Sequence, residues 1–243
     1  SPLPNHWNPS VICRELSTQE VETLVRKAGE AAEIAAEAGF DGVEIHAAHE
    51  GYLLDQFMIA RFNRRTDKYG GDLLGRLTFP IEIVQEIKKR LGIGFPVQIR
   101  YAIKSFIKDW NQGGLPEDEF EEKGRDLAEG LEIAKILEQA GYDAFNADAS
   151  SVEGYYWAHP PEYQKHGCYL DLVKELKRVV NVPVLVAGRM DLPEVAHKAI
   201  IEQKADMILL GRGLLADPKW PKKVREGNIQ QIRPCLGCHD GCL

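Results

Sequence analysis

The chain has 243 residues, 44% of them hydrophobic and 28% charged, with a formal net charge of −7. These are ordinary globular values, and the length fits one α/β domain or two small ones. Basic residues are scattered without an interleaved aromatic stripe, which argues against nucleic acid. No apolar run approaches the ~20 residues a membrane helix needs, and no charged segment followed by an apolar one opens the chain as a secretory signal would. Cys13 and Cys168 stand alone and the other three cysteines cluster. That is no disulfide framework, so the expected setting is a reducing, cytoplasmic one.

Residues 1–16 carry Pro2, Pro4 and Pro9 and predict an irregular lead-in. Ser17 and Glu20 form a capping box that opens a helix to about Ala38. Residues 42–46 follow as a short buried strand, and 47–74 as a polar stretch too rich in charge and glycine for one element. A helix over 75–91 and a strand over 96–100 come next. Pro116 suits the first position of a helix ending near Ala140. Strands at 141–146, 182–187 and 206–210 alternate with helices at 168–180 and 192–203, and an aromatic loop spans 147–165. Ala-Gly-Phe-Asp-Gly at 38–42 recurs as Ala-Gly-Tyr-Asp-Ala at 140–144, the mark of a repeated βα unit.

Alternation with short apolar strands implies a parallel sheet under helices. No G-x-G-x-x-G follows a strand, which disfavours an open dinucleotide-binding sheet. Polar residues instead sit at strand ends: His46, Arg100, Asn146, Arg189 and Arg212. In a (β/α)8 TIM barrel such ends share the face where active sites are built. The expected fold is therefore α/β, five βα units of that barrel over residues 1–226, with a cysteine-rich tail over 227–243.

Both final strands end in glycine then arginine, Gly188-Arg189 and Gly211-Arg212. Glycine admits an anion close to the backbone and arginine supplies a planar charged fork, so the pairs predict a phosphate site; solvated strand-end turns are the alternative. Arg100, costly to bury unpaired, points either to an electron-rich ring or carboxylate ligand, or to a salt bridge across the barrel mouth. His46, His49 and Tyr52 supply donors for an oxyanion and a proton source. Tyr155 to Pro161 either wall an apolar pocket or pack over a helix. The loop from Asn63 to Gly71 is expected to be tied down by Arg–Asp pairs.

Cys235, Cys238 and Cys242 make C-x-x-C-x-x-x-C. This spacing suits an iron–sulfur cluster with a further cysteine beyond Leu243; zinc with His239 recruited is the alternative. Two further options stay open: a barrel lyase or aldolase with Lys104 as its Schiff-base amine, and a zinc-stabilised scaffold without catalysis.

The stretches Val43-Glu44-Ile45-His46-Ala47-Ala48-His49-Glu50-Gly51-Tyr52-Leu53-Leu54-Asp55-Gln56-Phe57, Asn63-Arg64-Arg65-Thr66-Asp67-Lys68-Tyr69-Gly70-Gly71 and Leu210-Gly211-Arg212-Gly213-Leu214-Leu215-Ala216-Asp217-Pro218 resemble the Old Yellow Enzyme family. The cysteine tail and Tyr156-Trp157-Ala158-His159-Pro160-Pro161 resemble its 2-enoate reductase and 2,4-dienoyl-CoA reductase branch. The resemblance implies an NAD(P)H-dependent ene-reductase holding FMN in a (β/α)8 barrel. Arg100 would face the flavin N1/O2 edge, with Gly188, Arg189, Gly211 and Arg212 around its phosphate. His46 and His49 would bind the substrate carbonyl and Tyr52 would protonate the α-carbon after hydride transfer to the β-carbon. Cys235, Cys238 and Cys242 would hold a [4Fe-4S] cluster, fed by FAD and NAD(P)H in a C-terminal part outside this chain. The implied partner is a small unsaturated carboxylate or thioester, in a chain compatible with a homo-oligomer. Glu50 is an extra residue relative to the commoner motif. With the first three βα units outside the sequence, the chain alone is expected to bind FMN weakly and to be inactive.

Overall fold

The computed structural model describes residues 2–5, 8–49 and 53–241. A short antiparallel pair, β1 (Leu3–Pro4) and β2 (Ile12–Cys13), lies within the lead-in expected to be irregular. Then follow α1 (Thr18–Glu37), β3 (Val43–Ala47), α2 (Leu53–Met58), α3 (Leu73–Leu91) and β4 (Val97–Ala102). A hairpin of β5 (Ile107–Asp109) and β6 (Gln112–Gly113) precedes α4 (Leu127–Ala140), β7 (Ala144–Asp148), α5 (Tyr155–Ala158) and α6 (Leu170–Lys177). The chain continues through β8 (Val184–Val186), α7 (Pro193–Ile201), β9 (Met207–Ile208), α8 (Arg212–Ala216) and α9 (Trp220–Arg225).

The main described sheet runs β3-β4-β7-β8-β9, every neighbouring pair parallel. Its spatial order is the chain order. A doubly wound sheet reverses at a switch point; this one does not, so it forms an arc of a singly wound α/β barrel. Side chains alternate faces along each strand. Val97, Ile99, Tyr101, Phe145 and Ala147 are wholly buried among the helices. The other face carries Glu44, His46, Gln98, Arg100, Asn146 and Asp148. Strand register sets His46 beside Arg100 and Arg100 beside Asn146. Glu44 accepts hydrogen bonds from Gln98 and from Asn146 (2.8 Å), so the second face is a polar one.

Side-chain caps begin the three longest helices. Ser17 and Glu20 do form the capping box of α1. Asp72 caps α3, accepting from Gly75 N at 2.9 Å. The helix expected from Pro116 begins only at Leu127. Asp126 is its true cap, accepting from Glu129 N at 2.8 Å. The intervening chain is held otherwise: the Glu122 carboxylate accepts from Phe106 N and Ile107 N, and Lys123 N donates to Ile107 O. A carboxylate that satisfies backbone donors two strands away competes with helix formation.

Arg65 and Asp67 are joined by two hydrogen bonds, and Thr18 donates to Asp67 at 2.6 Å, so the 63–71 loop is tied down as expected. Helix α4 approaches the sheet so closely that a Cβ on Gly130 would lie 1.9 Å from Ile103 O. Gly130→Ala must push helix and strand apart. Its urea midpoint is expected to fall with a loss of about 1–3 kcal/mol; an unchanged midpoint would show that the helix slides freely.

Candidate functional site

The polar tips of β4, β7, β8 and β9 open on one cavity of about 620 Å³, within the range of small-ligand sites. Arg100, Asp148, Gly188, Arg189, Gly211 and Arg212 all line it. Five of these six were expected from strand-end position; Asp148 was not. Yet it stands two residues beyond Asn146 on the same strand face, so the two-residue strand period already placed it there.

Asp148 organises the mouth. Its side chain is 1% exposed. Its Oδ2 accepts from Arg100 Nε (2.7 Å) and Nη2, and its Oδ1 accepts from Ala149 N at 2.8 Å. The His49 Nε2 lies 3.6 Å from the same Oδ2, an ion-pair distance. Burial pushes the Asp148 carboxyl up, but His49 and Arg100 together outweigh it and hold it at about 2. Arg100 thus does make a salt bridge, to the adjacent strand β7 rather than across the mouth. Its guanidinium still borders the cavity and is about one-third exposed.

His46 and His49 meet edge to face at 5.9 Å, and His49 lies 6.2 Å from His159. Burial, then the Arg100 charge, then His49 lower the basicity of His46. Burial foremost, then His49 and Arg212, bring His159 down to about 4. At neutral pH these two rings are neutral, each with one N–H donor and one acceptor. Tyr52, the expected proton donor, lies outside the described residues.

The aromatic segment is divided: one part packs against the loop before β5 rather than over a helix, and another lines the cavity. Trp157 is buried, stacked on Phe106 at 4.2 Å, and its Nε1 donates to Gly114 O at 2.8 Å. Ala158, His159 and Pro160 meanwhile line the cavity. Lys104, the Schiff-base candidate, places its ammonium over the Phe106 ring at 4.7 Å and does not line the main cavity.

The C-terminal tail folds back on the mouth. Cys235 and His239 border the main cavity, and Cys235 also borders a second one of about 280 Å³ beside Trp220. Cys235 is partly buried and Cys238 exposed. Among the described residues no three His, Cys, Asp or Glu side chains are set to hold a metal; Cys242 lies outside them. Cys168 is buried, which pushes its thiol up to about 12, as for an ordinary core cysteine.

FMN presents a phosphate and an electron-rich ring. Arg212 Nη1 is buried without a hydrogen-bond partner in the cavity wall, an orphan that an anion would satisfy. A Cβ built on Gly211 meets nothing within 4 Å, so the backbone there is open to close approach. The donor set therefore fits a phosphate at the β9 end.

Parallel strands whose C-terminal tips gather a guanidinium, imidazoles and an open glycine turn around one cavity describe an α/β-barrel enzyme. The NADH:flavin oxidoreductase / NADH oxidase family matches residues 4–231, and the chain belongs to that family, which the Old Yellow Enzyme motifs anticipated. It is 60% identical over its full 243 residues to cinnamate reductase of Clostridium sporogenes, of which it covers 36%. It is 42% identical to an NADH oxidase of Thermoanaerobacter brockii, over 95% of this chain and 33% of that one. Among solved structures, a 2-naphthoyl-CoA reductase complex superposes with a TM-score of 0.85 at 33% identity, over 95% of this chain and 33% of that one. The Old Yellow Enzyme homologue of Zymomonas mobilis, 24% identical with a TM-score of 0.68, shares the fold. The chain spans about a third of the length of the first three relatives.

Proposed function

We propose that this chain is the substrate- and FMN-holding part of an NAD(P)H-dependent ene-reductase that reduces a C=C bond conjugated to a carboxylate or thioester. The observation that supports this is that Arg100 and Asp148 line one cavity with Gly188, Gly211 and Arg212, while His46 stands beside Arg100 in register and His49 lies 3.6 Å from Asp148. The 60% identity to a cinnamate reductase favours an aryl enoate within that class.

FMN, when bound, supplies the electron pair that reduces the alkene. Arg212 and the Gly211 turn would hold its phosphate, and Arg100 its ring edge. His46, kept neutral by burial and by Arg100, would donate an N–H to the substrate carbonyl oxygen. His49, whose Nε2 lies 3.6 Å from Asp148 Oδ2, would donate a second. Two donors aimed at one oxygen favour the charge that builds there as the β-carbon is reduced. Tyr52, by its match to the family motif, would deliver the α-proton. Residues 1–226 would form the barrel part and 227–243 the start of a cluster segment. Cys235, Cys238 and Cys242 are the proposed thiolates for a [4Fe-4S] cluster, with FAD and NAD(P)H held elsewhere in the parent protein.

The test is anaerobic. The parent protein that carries this chain, reconstituted with FMN and reduced, is mixed with cinnamate, and the oxidised flavin spectrum is expected to return with formation of the saturated acid. Return of colour only on adding oxygen would overturn the ene-reductase proposal. Iron and sulfide analysis separates a cluster from zinc at the tail.

A further inference from the structure

The two glycine–arginine turns look alike in sequence but are built differently. Gly188 and Arg189 both adopt positive φ, +86° and +54°, a left-handed kink unusual for arginine. The kink turns the Arg189 guanidinium back onto the chain. Its Nη1 donates to Pro161 O at 2.9 Å and to the carbonyls of Glu162 and Gln164. Its Nη2 lies 3.0 Å from His166 Nε2, and His166 Nδ1 lies 3.3 Å from Asp191 Oδ1. Gly167 N and Cys168 N donate to the carbonyls of Arg189 and Gly188. Arg212 instead divides its fork: Nη2 donates to Pro160 O at 2.7 Å, while Nη1 is the buried orphan in the cavity wall.

Segment 155–168 is therefore a strap. Trp157 pins one end on Phe106, and Arg189 pins the other. Between them His159 faces Tyr155 at 4.6 Å and His49 at 6.2 Å, on the side where a substrate would lie. A guanidinium whose donors already serve carbonyls has few left for an anion.

We propose that Arg189 is a positioning residue that fastens this strap rather than an anion ligand, and that Arg212 links the strap to the anion site. A phosphate monoester taken up by Nη1 fixes the Arg212 plane and, through Nη2, holds Pro160. Filling the phosphate end then tightens the wall at the substrate end. The identity of the phosphate as FMN rests on the function proposed above; the fastening by Arg189 does not.

Hydrogen exchange over 155–168 of the parent protein, with and without FMN or inorganic phosphate, tests this in the wild type, R189Q and R212Q. The wild type is expected to gain protection there when either ligand binds. R189Q is expected to lose about tenfold protection over 161–168 without ligand, yet keep FMN affinity within about threefold. R212Q is expected to lose about tenfold or more in FMN affinity and all of the ligand-induced protection. R189K, which keeps a cation but not the fork, serves if R189Q does not fold; intermediate protection with unchanged affinity is expected. Loss of FMN affinity in R189Q or R189K with strap protection unchanged overturns the Arg189 role. A wild type that binds FMN without gaining protection overturns the Arg212 link alone. A wild type that binds neither ligand overturns that link together with the flavin assignment, while the unliganded R189Q data still decide the fastening.

Discussion

Arg125→Met is expected to lower the unfolding free energy by about 3–5 kcal/mol, the cost of breaking a buried ion pair from one side. Arg125 and Asp55 are both fully buried, with Nη2 donating to Asp55 Oδ1 at 2.7 Å. Arg125 Nη1 also donates to Ala102 O at 2.5 Å, and the guanidinium lies 5.9 Å from the Tyr101 ring centroid. Methionine fills much of the volume but leaves the Asp55 carboxylate without the Arg125 charge. Pairing it with Asp55→Leu removes both charges and should recover most of the loss. Urea unfolding of the two single variants and the double one measures this. Simple additivity would show that the two charges act independently. Because α2 begins just after the His49 loop and is held here to the end of β4, activity should fall with the folded fraction rather than ahead of it.

Asp148→Asn is expected to cost about 2–3 kcal/mol at neutral pH, since hydrogen bonds to an ionised group are the stronger kind, and the cost should depend on acid. The carboxyl is held at about 2 in the fold, against ~3.9 when unfolded. A group with a depressed folded value contributes its full stability above the unfolded value and loses it as pH falls through the folded one. The gap between wild type and variant should therefore be constant above pH ~5 and close between ~4 and ~2. A gap that persists at pH ~2 would mean that asparagine disturbs packing, with no electrostatic loss. The same variant releases Arg100 from its nearest anion, so an FMN seated beside Arg100, as proposed, should become easier to reduce.

The fold was legible where buried parallel strands make short apolar runs. Val182 to Ala187, and the Gly-x-Asp starts at 39–41 and 141–143, fall close to the observed strands. The helix from Pro116 failed for a reason also present in the sequence: Asp126 and Glu129 are spaced as a cap, and that signal outranked the proline. At the site, polar residues at strand ends did converge, because strand register carries neighbouring tips to one level. What no spacing could separate was Arg189 from Arg212. Their difference depends on a loop more than 20 residues away in sequence and on a backbone kink. Asp148 was legible by period but carried no motif.

The left-handed backbone at Arg189 has a consequence for how this position tolerates change. An L-residue there gives up about 1–2 kcal/mol that glycine would not. A library at codon 189 screened for heat resistance should nonetheless return arginine, because its hydrogen bonds to the Pro161, Glu162 and Gln164 carbonyls outweigh that strain, with glycine next. If glycine or asparagine wins that screen, those bonds contribute less than the strain.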